Sequence, residues 1–421
     1  MPAPLSHEKG GNPMANPTQN KEGIKVLNDL RPAYYDDFRC LAGGCQNTCC
    51  KGWSITFSKK DYLALKRQEG SPELNACLAE GVRRIRRKSG DDTFYYGEFD
   101  MSGGVCSLLQ EGGLCGLQVE KGHEALPFVC QSYPRRERYM LSGYLERSLS
   151  PSCEGVLALL WDLPEGVEFR SSPLLKGQYR SVRPVSDEPM PLWFAPVREW
   201  CIDMMQDRRF SLPHRIWLMG LGLKDLAEGE TDIQRWMERA AILPGSVDVE
   251  GILPTGTQEL ILYMLSCIHI LNAIETDNPL AARILGSLVL DSHRTDGVKS
   301  ARCDPYLKAR KRFEENFRGR EYFMENLMVS LFFYLHMPHM SSKEELWKSY
   351  VNFCNLYAFF RFMAVMSCQE GASGDRDELF RHMVFASRSL LHNEPRRGHL
   401  RDELFQNGSA TLAHMAILLS G

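Results

Sequence analysis

Cys40-Leu41-Ala42-Gly43-Gly44-Cys45-Gln46-Asn47-Thr48-Cys49-Cys50 places four thiols in one short loop, spaced C-x4-C-x3-C-C. Thiolates are soft donors for zinc or iron–sulfur clusters, and a short loop lets several converge on one centre. Gly43 and Gly44 are expected to supply the backbone freedom such a loop needs. Neighbouring residues of an extended chain point to opposite sides, so Cys49 and Cys50 share one atom only if the backbone turns sharply between them. A second set follows as Cys106-x8-Cys115-x14-Cys130.

The cysteines are unevenly placed. Nine of the 14, including Cys77 and Cys153, lie between residues 40 and 153, and only five follow. The N-terminal stretch lacks the apolar core of a signal peptide, so the clustering points to metal ligation or redox chemistry and not to a disulfide framework. Neither set has the spacing of paired C-x2-C zinc motifs, of bacterial ferredoxins or of the C-x3-C-x2-C loop, so zinc and iron–sulfur both remain open. The bland alternative is a set of unligated thiols, which glycine-rich loops would leave as exposed liabilities. Cys77 lies beside a helical apolar stripe and reads as a small core residue, and His123 reads as an exposed loop histidine although it falls between Cys115 and Cys130.

Working outward, the fold class is mainly α: an irregular, cysteine-rich, metal-binding N-terminal domain followed by an all-helical C-terminal domain. Residues 1–22 read as a flexible tail, 23–163 as the cysteine-cluster domain, 164–190 as a proline- and serine-bearing linker, and 191–421 as the helical domain. Within the first domain, Ser71 and Pro72 open a helix whose apolar face runs Leu74, Leu78, Val82 and Ile85 and whose end carries Arg83, Arg84, Arg86, Arg87 and Lys88. Thr93–Tyr96 is the clearest strand-like stretch. The second half repeats helical periodicity over Leu192–Arg208, Leu212–Glu228, Ile233–Leu243, Gln258–Glu275, Arg320–His336, Lys343–Gln369 and Asp377–His392.

The 421 residues carry 50 Lys+Arg against 53 Asp+Glu, a formal charge of −3. That balance excludes a general nucleic-acid binder, which needs a basic excess for phosphate contacts. The longest apolar runs, Leu260–Leu271 and Leu327–Leu335, fall short of the roughly 18 residues a membrane span needs, leaving peripheral membrane contact open. The expectation is a cytoplasmic protein whose oligomeric state the sequence does not specify. No nucleophile elbow or phosphate loop appears. Gly220-Leu221-Gly222 is the only partial dinucleotide signature, and it sits inside a helical pattern where small residues permit close helix packing.

The segment Tyr34–Trp53, together with Cys106-Ser107-Leu108-Leu109, Gly113-Leu114-Cys115, Leu126-Pro127, Cys130 and Tyr133-Pro134-Arg135, resembles the CxxCxxCC (YkgJ-type) cysteine-cluster family. Within it, the length and the helical second half resemble the flagellin lysine-N-methylase (FliB-like) branch. Here x4 and x3 replace the x2 and x2 of the family motif. The resemblance implies a bacterial cytoplasmic enzyme that methylates lysine ε-amines of flagellin, its protein partner. S-adenosylmethionine would be the donor, and a 4Fe–4S cluster would be held by cysteine, with zinc as the alternative. The candidate metal residues are Cys40, Cys45, Cys49, Cys50, Cys106, Cys115 and Cys130, from which a cluster takes at most four. Trp53 and Tyr133 are candidates for the cofactor's cationic sulfonium, which aromatic faces favour, with Tyr95 and Tyr96 also near the cysteines in sequence. With no Rossmann-type site evident in the sequence, a donor chelated by an open iron position becomes the more attractive expectation. Two other readings stand beside it: a non-catalytic zinc-stapled interaction module, and an iron–sulfur oxidoreductase.

Overall fold

The sequence pattern resolves into two unequal cores in the computed structural model, which describes residues 27–86, 95–140, 144–174, 193–229, 232–274, 278–288, 303–338, 342–392 and 394–421. The expected tail lies outside these residues, as do part of the Thr93–Tyr96 stretch and most of the expected linker.

The N-terminal part carries more sheet than its irregular sequence suggests. Strands β1 (Leu27–Pro32), β2 (Thr56–Phe57), β3 (Val82–Arg84), β4 (Gly97–Phe99), β5 (Arg135–Met140), β6 (Tyr144–Leu149) and β7 (Phe169–Leu174) form two sheets, ordered β5-β6-β1-β7 and β2-β4-β3. β1 runs parallel to β6 and antiparallel to β7. The long strands are hard to read because their charges pair instead of alternating with apolar residues. Arg147 of β6 donates to Glu137 of β5 at 3.1 Å and to Asp29 of β1 at 3.3 Å. β7 falls in the stretch expected as linker. Its Pro173 is tolerated because β7 is an edge strand, where a missing amide donor costs little.

Helices α1 (Lys59–Leu65) and α2 (Pro72–Gly81) follow the small sheet's first strand. Ser71 caps α2 as expected, its Oγ accepting from Leu74 N at 3.1 Å. The helix stops four residues before Ile85, however. Gly81 lies so close to Ser107 that a Cβ there would meet Ser107 Oγ at 2.0 Å, and buried, β-branched Val82 opens strand β3 opposite Phe99. Short helices α3 (Gly116–Lys121) and α4 (Phe128–Ser132) complete the small core of Ile55, Phe57, Leu74, Val82, Phe99 and Leu117.

The large core takes in Leu30 of β1, Tyr34, Phe38 and Leu149 of β6, packed with α5 (Glu154–Trp161) and the helices α6 (Phe194–Gln206), α7 (Leu212–Glu228), α8 (Ile233–Ser246), α9 (Thr257–Ile274), α10 (Pro279–Leu288), α11 (Asp304–Asn316), α12 (Tyr322–Tyr334), α13 (Lys343–Met366), α14 (Arg376–Leu391), α15 (Glu394–Gln406) and α16 (Leu412–Leu419). α12 and most of α13 are buried all round, so they carry no amphipathic stripe. The seven helices read from periodicity are present to within a few residues, and the protein is mainly α. α9 alone among the described helices is long and apolar enough to cross a membrane by length and composition. One face of it packs inward through Tyr263, Cys267, Ile270 and Leu271.

Gly220 and Gly222 behave as packing residues. A Cβ at Gly220 would lie 2.0 Å from the Tyr350 ring, and one at Gly222 2.6 Å from Trp200. A buried ionic knot joins sheet to helices: Glu146 of β6 is ion-paired with Arg198 of α6, and its other oxygen lies 2.9 Å from His336 Nδ1 just past α12. Burial opposes that charge, but Arg198 and His336 overcome it and hold the Glu146 carboxyl down to about 2.

Candidate functional site

The seven candidate thiols fall into two groups. Cys49, Cys50, Cys106, Cys115 and Cys130 gather at the edge of the small core, brought there by three loops and by α4, which carries Cys130. Cys50 O accepts from Cys106 N at 2.8 Å, Lys51 pairs with Val105, and Leu109 pairs with Cys115, so backbone bonds tie the three loops together. The chain turns sharply at Cys49–Cys50, with Lys51 N donating to Thr48 O at 3.3 Å. The two adjacent thiols therefore hydrogen-bond each other, which raises the pKa of Cys49 and lowers that of Cys50, with Thr48 and the Arg388 charge also lowering Cys50.

Burial drives up the pKa of Cys106, Cys115 and Cys130, and the Cys50 charge adds to each. Those three and Cys50 thus feel one another electrostatically, each from a different segment of the chain. This is the donor chemistry of a tetrathiolate centre. Among the described residues, no three His, Cys, Asp or Glu side chains are drawn close enough to hold a metal ion.

Cys40 and Cys45 sit apart, with Cys153. The Cys45 thiol donates to Glu154 Oε2 at 3.6 Å, and Cys153 precedes α5 and feels the Cys40 charge. Glu154 also accepts from Asn47 N at 2.6 Å and Asn47 Nδ2 at 2.8 Å, which fixes the middle of the cysteine loop. Neither Gly43 nor Gly44 takes a positive φ. Ala42 does, at φ 49°, and Gly43 instead leaves room beside the Gly112 carbonyl. Positive-φ glycines do precede the second set, at Gly103, Gly104 and Gly113.

Trp53 and Tyr133 meet, with ring centroids 5.1 Å apart, and Trp53 lies 4.2 Å from the His392 ring. Trp53 Nε1 donates to Cys49 O at 2.6 Å, while Tyr133 and His392 each share a hydrogen bond with Ser152, at 3.0 and 2.8 Å. His392 keeps an exposed rim, but desolvation by its packed side and the charges of Arg388, Arg136 and Arg397 lower its pKa to about 3. Tyr96 is elsewhere, against Tyr62 and Arg84, and Tyr95 is exposed. Cys77 packs on the small core and His123 is exposed, as expected.

Sequence reasoning missed Arg388, Glu154, Ser152 and His392. Each comes from a regular helix or a strand end and bears no local motif. Arg388 of α14 donates to Asn47 O at 2.6 Å and Lys51 O at 2.9 Å, while Gln46 Nε2 reaches Asp377 Oδ2 at 3.0 Å from the other end of that helix. The cysteine loop is thereby strapped along α14.

Two cavities flank this arrangement. One, of about 450 Å³, lies between the cysteine loop and helices α10 and α14, and Lys51, Arg283, Arg381 and Arg388 line it. The other, of about 1110 Å³, lies within the helical half and is walled by Trp161, Phe313, Phe317 and Tyr357 among others.

Residues 198–418, more than half the chain, match the model of the FliB lysine N-methylase C-terminal domain. The chain is 25% identical over 163 residues to the lysine-N-methylases of Salmonella choleraesuis and Salmonella typhimurium, a stretch covering 38% of this chain and 38% of each relative. It is 28% identical over 149 residues to the flagellar biosynthetic protein FliU of Salmonella muenchen, covering 34% of this chain and 83% of FliU. No solved structure matches. By its helical half, this chain belongs to the family of the FliB lysine N-methylase C-terminal domain.

Proposed function

We propose that this protein is a protein-lysine N-methyltransferase that uses S-adenosylmethionine, acts on flagellin in the bacterial cytoplasm and holds an iron–sulfur cluster on its N-terminal thiols. The family match across residues 198–418 is the observation that carries the activity, and the names of the lysine-N-methylase and FliU relatives support a flagellar substrate. The donor supplies a methyl group on a sulfonium. A neutral lysine ε-amine takes that methyl as the carbon–sulfur bond breaks, the sulfur keeps the electron pair, and the nitrogen then loses one proton. The chain's part is to desolvate the amine so that its neutral form is populated, and to hold it in line with the methyl carbon.

The thiol set supports a cluster. Cys50, Cys106, Cys115 and Cys130 are the four we assign to it, with Cys49 hydrogen-bonded beside them and Cys40 and Cys45 tied to the Glu154 side. A single zinc ion needs four sulfurs at about 2.3 Å from one point. A four-iron cluster would take one thiolate per iron over a larger centre, which suits thiols that lie near one another without closing on a single point. When bound, it would supply an electron-rich, thiolate-held iron centre that cross-links the three loops and α4.

The test is incubation of the protein, purified without oxygen, with labelled S-adenosylmethionine and flagellin. Label in flagellin but not in a lysine-blocked control supports the reading. Brown protein with near-equal iron and sulfide that transfers no methyl to flagellin favours an iron–sulfur oxidoreductase, and colourless zinc protein without transfer favours an interaction module.

A further inference from the structure

The two cavities differ in charge, and the difference assigns them different ligands. The smaller one brings together Lys51, Arg283, Arg381 and Arg388, and within it Arg283 and Arg381 share the single buried carboxylate of Glu378. Asn278 and Pro279 add the positive end of α10. Such a site repels a ligand with two cationic centres. S-adenosylmethionine carries a sulfonium and an ammonium against one carboxylate.

The larger cavity is nearly balanced, with five arginines against four glutamates on its wall. Glu325 is satisfied internally by Arg208 and Arg215, and Glu314 pairs with Arg310 and Arg361. Three other charged groups on its wall have no opposite charge in ion-pair contact among the described residues: Arg320, Glu250 and Glu321. Arg320 lies over the Trp161 ring at 5.0 Å and donates to the Trp161 carbonyl and the Tyr322 hydroxyl, so its guanidinium is held in place while its charge stays available. One fixed cation, two available carboxylates and aromatic walls complement a zwitterion with an aromatic base: guanidinium to carboxylate, Glu to ammonium or ribose hydroxyl, and ring faces to adenine and sulfonium. The volume of about 1110 Å³ exceeds what a cofactor of that size needs, leaving room for an entering lysine side chain. Nearly all the lining lies within the stretch that matches the methylase family.

We infer that the methyl donor binds in this helical cavity, against Arg320, Glu250, Glu321 and Trp161, and not at the thiol centre. The inference rests on the reading that S-adenosylmethionine is the donor. Leu379 lines the cavity and Arg388 straps the cysteine loop; on one helix, nine residues apart, they are separated by roughly 13 Å at ~1.5 Å per residue. Donor and cluster are then two sites joined by α14, and the cluster serves to hold the loops against that helix.

The test is calorimetric titration of S-adenosylmethionine into the full-length protein, both as purified and after its metal has been removed. The variants are Arg320→Gln, Arg320→Lys, Glu250→Gln with Glu321→Gln, and Trp53→Phe, with circular dichroism and melting as folding controls. Arg320→Gln and the double Glu variant should each weaken binding at least tenfold, with Arg320→Lys intermediate, while Trp53→Phe and metal-free protein bind within about twofold of wild type. If the cavity variants bind as wild type does, or if Trp53→Phe or metal removal abolishes binding, the assignment is overturned although the methyltransferase reading stands. If the wild type neither binds the donor nor methylates flagellin, the reading itself falls.

Discussion

The Arg388 guanidinium donates to the Asn47 carbonyl at 2.6 Å, joining the last turns of α14 to the middle of the cysteine loop across more than three hundred residues of sequence. The same group reaches the Lys51 carbonyl, and its charge opposes the rise in the Cys49 pKa and adds to the lowering of that of Cys50. The family-matched half thus positions and polarises the thiol-bearing half.

Removing this clasp has a definite cost. Arg388→Ala should lower stability by about 2 kcal/mol, the range for charge-assisted hydrogen bonds left without a donor. Arg388→Lys, which keeps the charge but not the forked geometry, should recover only part of that. Thermal melting reads both, and retained melting temperature in Arg388→Ala would show the contact to be incidental.

Metal retention should separate the two thiol groups. Cys115→Ala and Cys130→Ala should lose most bound iron, because each removes one of four facing thiols. Cys45→Ala should keep it, since that thiol is engaged with Glu154. Cys77→Ala and Cys267→Ala should be silent for metal. Iron and sulfide determination on anaerobically purified variants decides this, and equal loss in Cys45→Ala would merge the two groups into one.

Glu146 is a structural charge. Replacing it with Gln leaves Arg198 buried without its carboxylate, which typically costs about 3–5 kcal/mol. Chemical denaturation should show that loss, whereas a surface control such as Glu73→Gln should change little.

Acid should weaken the fold in two stages. His382 is buried, and desolvation keeps its pKa at about 4 against an ordinary 6.5, the nearby Arg283 and Arg381 charges adding to the effect while Glu378 opposes it. Between those values the unfolded chain binds a proton that the folded chain does not, so stability falls as pH drops from 6.5 towards 4. Glu146, held down to about 2 against 4.5, loses its contribution in the lower window as it is protonated. Melting temperature against pH should show both losses; His382→Gln should shrink the upper one, to which His392, held at about 3, also contributes, and leave the lower one unchanged.

Much of the helical half was legible because period-3.6 patterns survive in α6 to α9, and α14 carries its own N-cap, Asp375, whose side chain accepts from Glu378 N. Gly220 could be read as a packing residue because no strand precedes it. The large sheet was not legible: its strands alternate charges that satisfy one another across the ladder, as Arg147 does with Asp29 and Glu137, and such pairing leaves no apolar period. The thiols were visible as a set. Their division was not, because it depends on Glu154 and Arg388, two residues of ordinary helices that tertiary packing alone brings to the loop.

The proposed activity is methylation of flagellin lysines. The most direct measurement is intact-mass and peptide mass spectrometry of flagellin co-expressed with the wild-type chain, with the Arg320→Gln variant, and alone. The account predicts lysine-borne methyl groups with the wild type, few with the variant and none without the chain. Flagellin of unmodified mass beside folded, metal-loaded wild-type protein would contradict it.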